Sequence, residues 1–199
     1  ITEAESHIVT SESAAAAALS GAMPKLVPAT DGALDVAALA GAMPGADAQR
    51  PRVGLGVIEN THVRSGGKVI KLEHMLAVAK VARLAGVPVH LDGARLFNAA
   101  CALGVEARQL AACAESVAFN LNKGLGAPLG AILAGPADFI SAAVRVRQMF
   151  GGGWRPAGIL AAAGIVALEG MISRLADDHV RARSLAEGLA ALNGIEVGP

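Results

Sequence analysis

The sequence VPVHLDGAR, residues 87–95, has the pattern of a buried β-strand that ends in polar side chains. Its apolar run lies between Gly86 and Gly93, and Asp92 comes at the carboxyl end of the run. A second run of this kind, residues 116–122, is followed by Lys123 and a glycine-containing turn. Because open α/β sheets bind ligands at the carboxyl ends of their strands, we expect Asp92 and Lys123 to meet at one edge of a sheet.

The elements on either side of these strands alternate between strand and helix. Asp35 begins a helix that Pro44-Gly45 ends, and residues 52–58 read as another buried strand. Residues 129–133 come too soon after the previous strand for a helical crossover, so they are expected to run antiparallel to it. Pro136 begins a helix through Met149. This order predicts an α/β fold, with a mostly parallel sheet sandwiched by helices.

The chain is predicted to hold one large domain and the beginning of a second. Residues 1–170 form the large domain, and residues 171–199 form a connecting helix and the start of a carboxyl-terminal small domain. The connecting helix is expected near residues 177–192, and Ile195–Val197 is expected to begin a new strand. Since the sequence starts on Ile1 without a methionine, we expect it to be a fragment that lacks both ends of a longer protein.

Composition excludes several classes of protein. The chain is 53% hydrophobic and 17% charged with a formal net charge of zero, which argues against disorder and against nucleic-acid binding. The most apolar run, residues 157–168, is shorter than the roughly 20 residues of a membrane span, so it predicts a buried helix. Cys101 and Cys113 lack metal or disulfide spacing and favour a reducing, cytoplasmic setting. The histidines show no metal-ligand spacing, and no metal site is predicted.

The polar residues at the predicted strand ends have both ordinary and functional interpretations. Asp92 could cap the following helix, and Lys123 could be a solvated turn residue. Burial of Lys123 between an apolar strand and a glycine turn would favour a functional amine. With Arg95 nearby, the three side chains suit an anionic ligand that forms a bond to an amine. His62, after the strand that ends near Ile58, is a further candidate.

Two weaker candidates lie outside these strand ends. His7 is one, although an isolated histidine is more often structural. Arg155 is the other, because it follows Gly151-Gly152-Gly153, and a guanidinium on a glycine loop can reach a phosphate. The loop itself lacks the ending of a P-loop, so it is a poor nucleotide signal.

Four ordered motifs resemble low-specificity L-threonine aldolases, which are pyridoxal-phosphate enzymes of the β-eliminating lyase group. The motifs are Glu59-Asn60-Thr61-His62, residues 90–99, residues 122–128 and residues 151–155. The resemblance covers essentially the whole chain and implies the PLP-dependent transferase-like fold of the aspartate aminotransferase superfamily. The chain departs from the usual family pattern at Asn122, where serine is common, and around Arg155.

The resemblance also implies a cofactor, pyridoxal 5'-phosphate, and a role for each matching residue. Lys123 would form the Schiff base, and Asp92 would pair with the pyridine nitrogen. Arg95 would bind the substrate carboxylate. His7 would stack over the cofactor ring, and His62 would lie near the substrate hydroxyl, so that both histidines count among the catalytic residues.

Arg155 would reach the cofactor phosphate region from a neighbouring subunit, since the family forms homo-oligomers, dimers or tetramers, with shared active sites. The implied reaction is retro-aldol cleavage of L-threonine, L-allo-threonine and related β-hydroxy-α-amino acids to glycine and an aldehyde. Two alternatives remain open. One is a related PLP-dependent lyase, either a phenylserine aldolase or a β-eliminating lyase, and the other is a non-catalytic truncated large domain. The expected partner is a small amino-acid substrate, without nucleic acid or membrane.

Overall fold

The computed structural model describes residues 1–43 and 49–198. Its strands are β1 (Ala29–Thr30), β2 (Ala33–Leu34), β3 (Gly56–Glu59), β4 (Val89–Asp92), β5 (Ser116–Asn120) and β6 (Ala131–Ala134). Its α-helices are α1 (His7–Thr10), α2 (Ala15–Ser20), α3 (Val36–Ala42), α4 (Leu72–Leu84), α5 (Leu96–Leu103), α6 (Ala107–Ala111), α7 (Ala137–Met149), α8 (Gly158–Val166) and α9 (Leu175–Ala190). A 3-10 turn, Glu12–Ala14, precedes α2, and a π-helical segment, Ala167–Met171, continues α8.

The main sheet contains four strands in the order β3-β4-β5-β6. The first three are parallel, and β6 pairs with β5 in the antiparallel direction. Both features confirm the prediction of a mostly parallel α/β sheet with one reversed strand. The reversal follows from chain length, because a parallel connection needs a crossover of a dozen residues or more.

The core lies between this sheet and the helices that connect its strands. Helix α4 buries Met75, Val78, Ala79 and Ala82, whose spacing of three and four residues places them on one helical face. Leu91, in the central strand β4, is fully buried in the same cluster. Burying a leucine or methionine side chain contributes about 1.5–3 kcal/mol, so this face accounts for much of the attachment of α4.

Helix boundaries follow the expected local signals where these are present. The Asp35 carboxylate accepts a hydrogen bond from the Ala38 N–H at 2.9 Å and caps α3, as predicted. Helix α7 begins directly after Pro136 and ends at Met149, also as predicted. The predicted stop at Pro44-Gly45 lies outside the described residues.

Two predictions about the carboxyl-terminal third were wrong. The apolar helix α8 is mostly exposed rather than buried, with Ile159 at 84% exposure and Gly164 buried. An apolar composition indicates that a helix is suited to burial, but it does not show which element packs against it. In this structure little packs against α8. Residues 195–197 form no strand, because a strand needs a hydrogen-bonded partner and none of the described strands pairs with this segment.

Among the described residues, no single helix is long and apolar enough to cross a membrane. Two consecutive helical segments, Gly158–Met171 and Leu175–Ala190, are together long and apolar enough for a membrane span, although they are bent by 73° relative to each other.

Candidate active site

The carboxyl ends of β3, β4 and β5 lie together at one edge of the sheet. In the parallel register, Glu59 pairs with Asp92, and Asp92 pairs with Ala118 two residues before the end of β5. The polar residues that end these strands are therefore neighbours, as the sequence predicts for Asp92.

A cavity of about 320 Å³ opens at this edge. It is lined by residues of the amino-terminal segment and of the three parallel strands and the turn after them. Its polar lining residues are His7, Glu12, His90, Asp92, Asn120 and Lys123. The structure thus brings together three of the six residues selected from the sequence, namely His7, Asp92 and Lys123.

Asp92 is held by the turn that follows β4. Its Oδ1 accepts a hydrogen bond from the Ala94 N–H at 3.2 Å, and the Gly93 N–H donates to the Ala118 carbonyl at 2.8 Å. A Cβ at Gly93 would lie 3.1 Å from that carbonyl oxygen, so a glycine allows β4 and β5 to approach closely here. The carboxylate is consequently fixed to the sheet by backbone contacts.

Lys123 lies in the loop that follows β5, where its carbonyl accepts a hydrogen bond from the Gly126 N–H at 3.1 Å. The side chain is exposed, so the expectation of a buried lysine was wrong. The neighbouring apolar residues Leu121 and Leu125 are buried in a small core cluster that includes Leu175, and the lysine is left at the surface of the cavity.

Gly124, next to Lys123, is enclosed by two helices. A Cβ at this position would lie 2.4 Å from Asn98 Oδ1 of α5 and 3.1 Å from Leu175 Cδ2 of α9. Leu175 itself is fully buried. The backbone beside the amine is therefore clamped by close packing from both helices.

His7 enters the cavity at the start of α1, where a buried carboxylate holds its backbone. Glu59 is 6% exposed, and its Oε2 accepts a hydrogen bond from the His7 N–H at 2.6 Å. Its Oε1 accepts one from the Val63 N–H at 2.8 Å. A carboxylate is favoured at the amino-terminal end of a helix, where backbone N–H groups lack partners. Glu59 thus ties the amino-terminal segment to the end of β3.

His90 lies two residues before Asp92, on the same side of β4, because alternate residues of a strand share a face. Its Nδ1 is 2.8 Å from Ser116 Oγ on the neighbouring strand. Burial lowers the pKa of His90 below its ordinary value of 6.5, and the negative charge of Asp92 opposes that effect.

We expect His90 to make the fold less stable in mild acid. The unfolded chain begins to protonate this histidine near the ordinary pKa of 6.5, whereas the folded protein, with its lower pKa, does so only at lower pH. The unfolded state therefore binds more protons in this window, and the free energy of unfolding falls as the pH is lowered through it.

Urea unfolding between about pH 8 and about pH 5 measures this effect in the wild type and in His90→Gln. The variant should lose part of the acid-dependent decrease. The same pH slope in both proteins would contradict the assignment to His90.

His62 does not line the cavity. It is 1% exposed, with Nε2 at 3.0 Å from Glu3 Oε1 and Nδ1 at 2.8 Å from Ser65 Oγ. Its ring also packs on the turn between β1 and β2, where Asp31 and Gly32 both have positive φ. These contacts make His62 the centre of a junction between three chain segments.

Gly32→Ala is expected to break this junction. A Cβ at Gly32 would lie 2.2 Å from His62 Cγ, and the φ of +83° is already unfavourable for alanine. Overpacking adds about 1–3 kcal/mol of destabilisation to the conformational cost. Gly66→Ala is the matched control, because Gly66 has a similar φ of +76° and nothing within 4 Å of the new Cβ. That control should cost only the roughly 1–2 kcal/mol of a left-handed alanine, and equal urea midpoints for the two variants would contradict the packing argument.

The two arginines selected from the sequence lie outside this cavity. Arg95 is exposed at the start of α5. Arg155 is exposed and lines a separate cavity of about 660 Å³, together with Arg147, Gln148 and Trp154. Within residues 1–43 and 49–198, no group of three His, Cys, Asp or Glu side chains is placed to hold a metal ion.

Sequence reasoning favoured a structural role for His90, and it assigned Glu12 and Glu59 only the role of caps or hydrogen-bond partners, with no part in proton transfer. His90 could have been found from the strand pattern, since it shares a face with Asp92. Glu59 ends its strand as Asp92 does, which is the same signal. Glu12 had no such signal, because its contact with the site depends on an irregular turn.

The fold is shared with solved structures that carry lyase, threonine aldolase and aminotransferase names. A structure from Exiguobacterium sp. 255-15, provisionally named an aromatic amino acid beta-eliminating lyase/threonine aldolase, matches with a TM-score of 0.87 and 26% identity. The match covers 100% of this chain and 54% of that one. N-Succinyldiaminopimelate aminotransferase from Mycobacterium tuberculosis shares the fold with a TM-score of 0.64 at 22% identity, over 92% of this chain and 48% of that one. The sheet and its strand-edge cavity therefore define an α/β protein of the class that includes aminotransferases and threonine aldolases.

Sequence comparison narrows this class to one family. The chain belongs to the beta-eliminating lyase family, whose model matches residues 1–199. Low-specificity L-threonine aldolase 1 from Arabidopsis thaliana is 42% identical over 96% of this chain and 54% of its own length. The chain thus spans about half the length of the curated relatives it matches.

Proposed function

We propose that this chain carries the catalytic centre of an enzyme that cleaves L-threonine and L-allo-threonine to glycine and an aldehyde with pyridoxal 5'-phosphate. The observation that carries the proposal is the convergence of Lys123, Asp92 and His7 on one cavity at the carboxyl edge of a parallel sheet. The family and the names of the plant and bacterial relatives, which are low-specificity L-threonine aldolases, support it.

The chemistry of the lining side chains fits the proposed cofactor. The Lys123 amine can bond to an aldehyde carbon, the Asp92 carboxylate can hold a protonated pyridine nitrogen, and the His7 imidazole can lie against an aromatic ring. Pyridoxal phosphate, when bound, supplies an electron sink for the bond that breaks at the amino-acid Cα. We propose that Asp92 maintains the proton on the ring nitrogen, since a carboxylate favours a neighbouring positive charge.

The remaining roles concern the substrate. Arg95 is proposed to hold the substrate carboxylate, which would fix the orientation of the scissile bond. His7 is the base that we favour for the hydroxyl proton, because it lines the cavity. Both ring nitrogens of the buried His62 already have partners, which supports a structural role for it in this chain.

We also propose the assembly, location and domain division that the resemblance implies. Arg155 lies away from the Lys123 cavity, which supports a homo-oligomer in which this arginine serves the cofactor phosphate of a neighbouring subunit. Cys101 and Cys113 are free thiols, in keeping with a cytoplasmic location. The proposed domains are residues 1–170 and 171–199.

The function is tested with purified protein, pyridoxal phosphate and separate substrates. L-Threonine and L-allo-threonine should give equimolar glycine and acetaldehyde, whereas L-cysteine and L-tryptophan should give no ammonia. Ammonia and pyruvate in place of glycine would favour a β-eliminating lyase, to which the family's name points. Cleavage of phenylserine in preference to threonine would identify a phenylserine aldolase.

A third outcome tests for a non-catalytic domain. Borohydride reduction in the presence of pyridoxal phosphate, followed by peptide mass spectrometry, should find the cofactor on Lys123. Failure to label any lysine, together with no product from any substrate, would overturn the proposal of catalysis.

A further inference from the structure

We propose that Glu12 is a positioning residue for His7, whose Nδ1–H it holds so that Nε2 accepts the proton of the substrate hydroxyl. The second half of this inference rests on the proposed function. The first half, the orientation of the His7 ring and the position of its proton, concerns the protein alone.

The pair lies at the cavity itself. His7 Nδ1 is 3.1 Å from Glu12 Oε2, and both residues line the cavity that contains Lys123 and Asp92. Their side chains are 36% and 59% exposed, respectively. A contact this exposed contributes little to stability. Its effect is therefore on the orientation of the ring rather than on the fold.

The rest of His7 is fixed independently of Glu12. Its backbone N–H donates to the buried Glu59 carboxylate at 2.6 Å, which holds the start of α1 against the end of β3. With the backbone held by one carboxylate, the ring retains only its side-chain rotations. Glu12 limits those rotations by binding one ring nitrogen.

The turn that delivers Glu12 is strained. Glu12, Ser13 and Ala14 have φ values of 50°, 54° and 58°, so three consecutive residues with side chains lie in the left-handed region. That conformation is unfavourable for each such residue, because it brings Cβ too close to the following carbonyl oxygen. Backbone strain of this kind is found where a functional geometry requires it, and here the geometry obtained is the contact with His7.

The chemical consequence follows from the tautomers of imidazole. A neutral histidine carries one proton, on Nδ1 or on Nε2, and an ionised carboxylate can only accept. Glu12 therefore selects the Nδ1–H tautomer and leaves the lone pair on Nε2. In the proposed reaction the substrate O–H bond breaks and its proton moves to Nε2, while an electron pair of that oxygen forms the second C–O bond of the aldehyde as the Cα–Cβ bond breaks. The electron pair of the broken C–C bond remains with Cα of glycine, which takes up a proton before release.

Nitrogen NMR of the ¹⁵N-histidine-labelled protein tests the tautomer without any substrate. At about pH 8 the His7 signals, identified by their loss in His7→Gln, should show a protonated Nδ1 in the wild type. In Glu12→Gln the Nε2–H form should rise, because an amide can accept from one tautomer and donate to the other. Glu5→Gln removes the same charge from an exposed residue of the same segment and should leave the wild-type pattern. A protonated Nε2 in the wild type, or identical patterns in wild type and Glu12→Gln, would overturn the proposal.

Kinetics test the second half. In Glu12→Gln, kcat for threonine cleavage should fall by up to about 10²-fold with KM little changed, the lower end of what acid–base groups contribute. The urea midpoint of unfolding should stay close to that of the wild type, since the pair is exposed. Unchanged kcat would overturn the catalytic part. A protein that cleaves no threonine at all would remove the proposed function, whereas the tautomer measurement would still decide whether Glu12 positions His7.

Discussion

Lys123→Ala should abolish the attachment of pyridoxal phosphate and reduce threonine cleavage by about 10³-fold or more, the scale of losing a covalent catalytic group. The amine lines the cavity with Asp92 and His7, and within residues 1–43 and 49–198 no other lysine lines it. Because Lys123 is exposed, its side chain can be removed without opening a hole in the core. The variant should therefore fold normally and differ from the wild type in cofactor binding and activity. Visible absorbance after addition of pyridoxal phosphate, and glycine formation from L-threonine, measure the two effects.

The matched control is Lys80→Ala, which removes an exposed lysine from α4. It should keep the absorbance and the activity of the wild type. Retention of both by Lys123→Ala would refute the role of this lysine, and borohydride labelling would then identify the lysine that carries the cofactor.

Asp92→Asn should lower kcat by about 10²–10³-fold while cofactor attachment to Lys123 persists, since a preorganised charge at a reacting group is worth that much. Asparagine has nearly the same shape and retains an oxygen that can accept the Ala94 N–H. The turn after β4 should therefore remain in place. What changes is the negative charge that would keep the pyridine nitrogen protonated. Steady-state kinetics with L-threonine, together with borohydride labelling of Lys123, separate catalysis from attachment.

Asp177→Asn, in the first turn of α9 and exposed, is the control for the loss of a carboxylate. It should leave kcat unchanged. If Asp92→Asn also kept the wild-type kcat, the carboxylate would be structural, which is the interpretation of Asp92 as a turn residue that its contact with Ala94 also permits.

The sequence was sufficient for the parts of the fold that depend on local pattern. Apolar runs with polar ends identified β4 and β5, and the short connection after β5 predicted the antiparallel β6. Helix α7 was found because proline is tolerated in the first turn of a helix. In each case the signal lies within a few residues of the feature that it predicts.

The parts that sequence reasoning missed depend on contacts between distant segments. His62 follows a strand end as Lys123 does, yet Glu3 and the turn at Gly32 enclose it, and neither lies near it in sequence. Residues 195–197 have the composition of a strand but no pairing strand among the described residues. The contact of Glu12 with His7 was missed because a left-handed turn of three ordinary residues has no sequence signature. Tertiary packing determines which residues near a strand end are enclosed, which element covers an apolar helix, and which path an irregular turn follows.

The close packing around Gly124 couples the position of α9 to that of the Lys123 amine. Leu175 closes on that glycine from α9, while Asn98 closes on it from α5, and a hydrogen-bonding contact of 3.1 Å between Asn98 Nδ2 and His179 Nε2 joins the two helices. A rotation of α9 cannot be absorbed by empty space at this point, because interiors at close packing transmit displacement. A displacement of α9 would therefore move the backbone at Gly124, one residue from Lys123. The position of the amine in the cavity thus depends on the tilt of this helix.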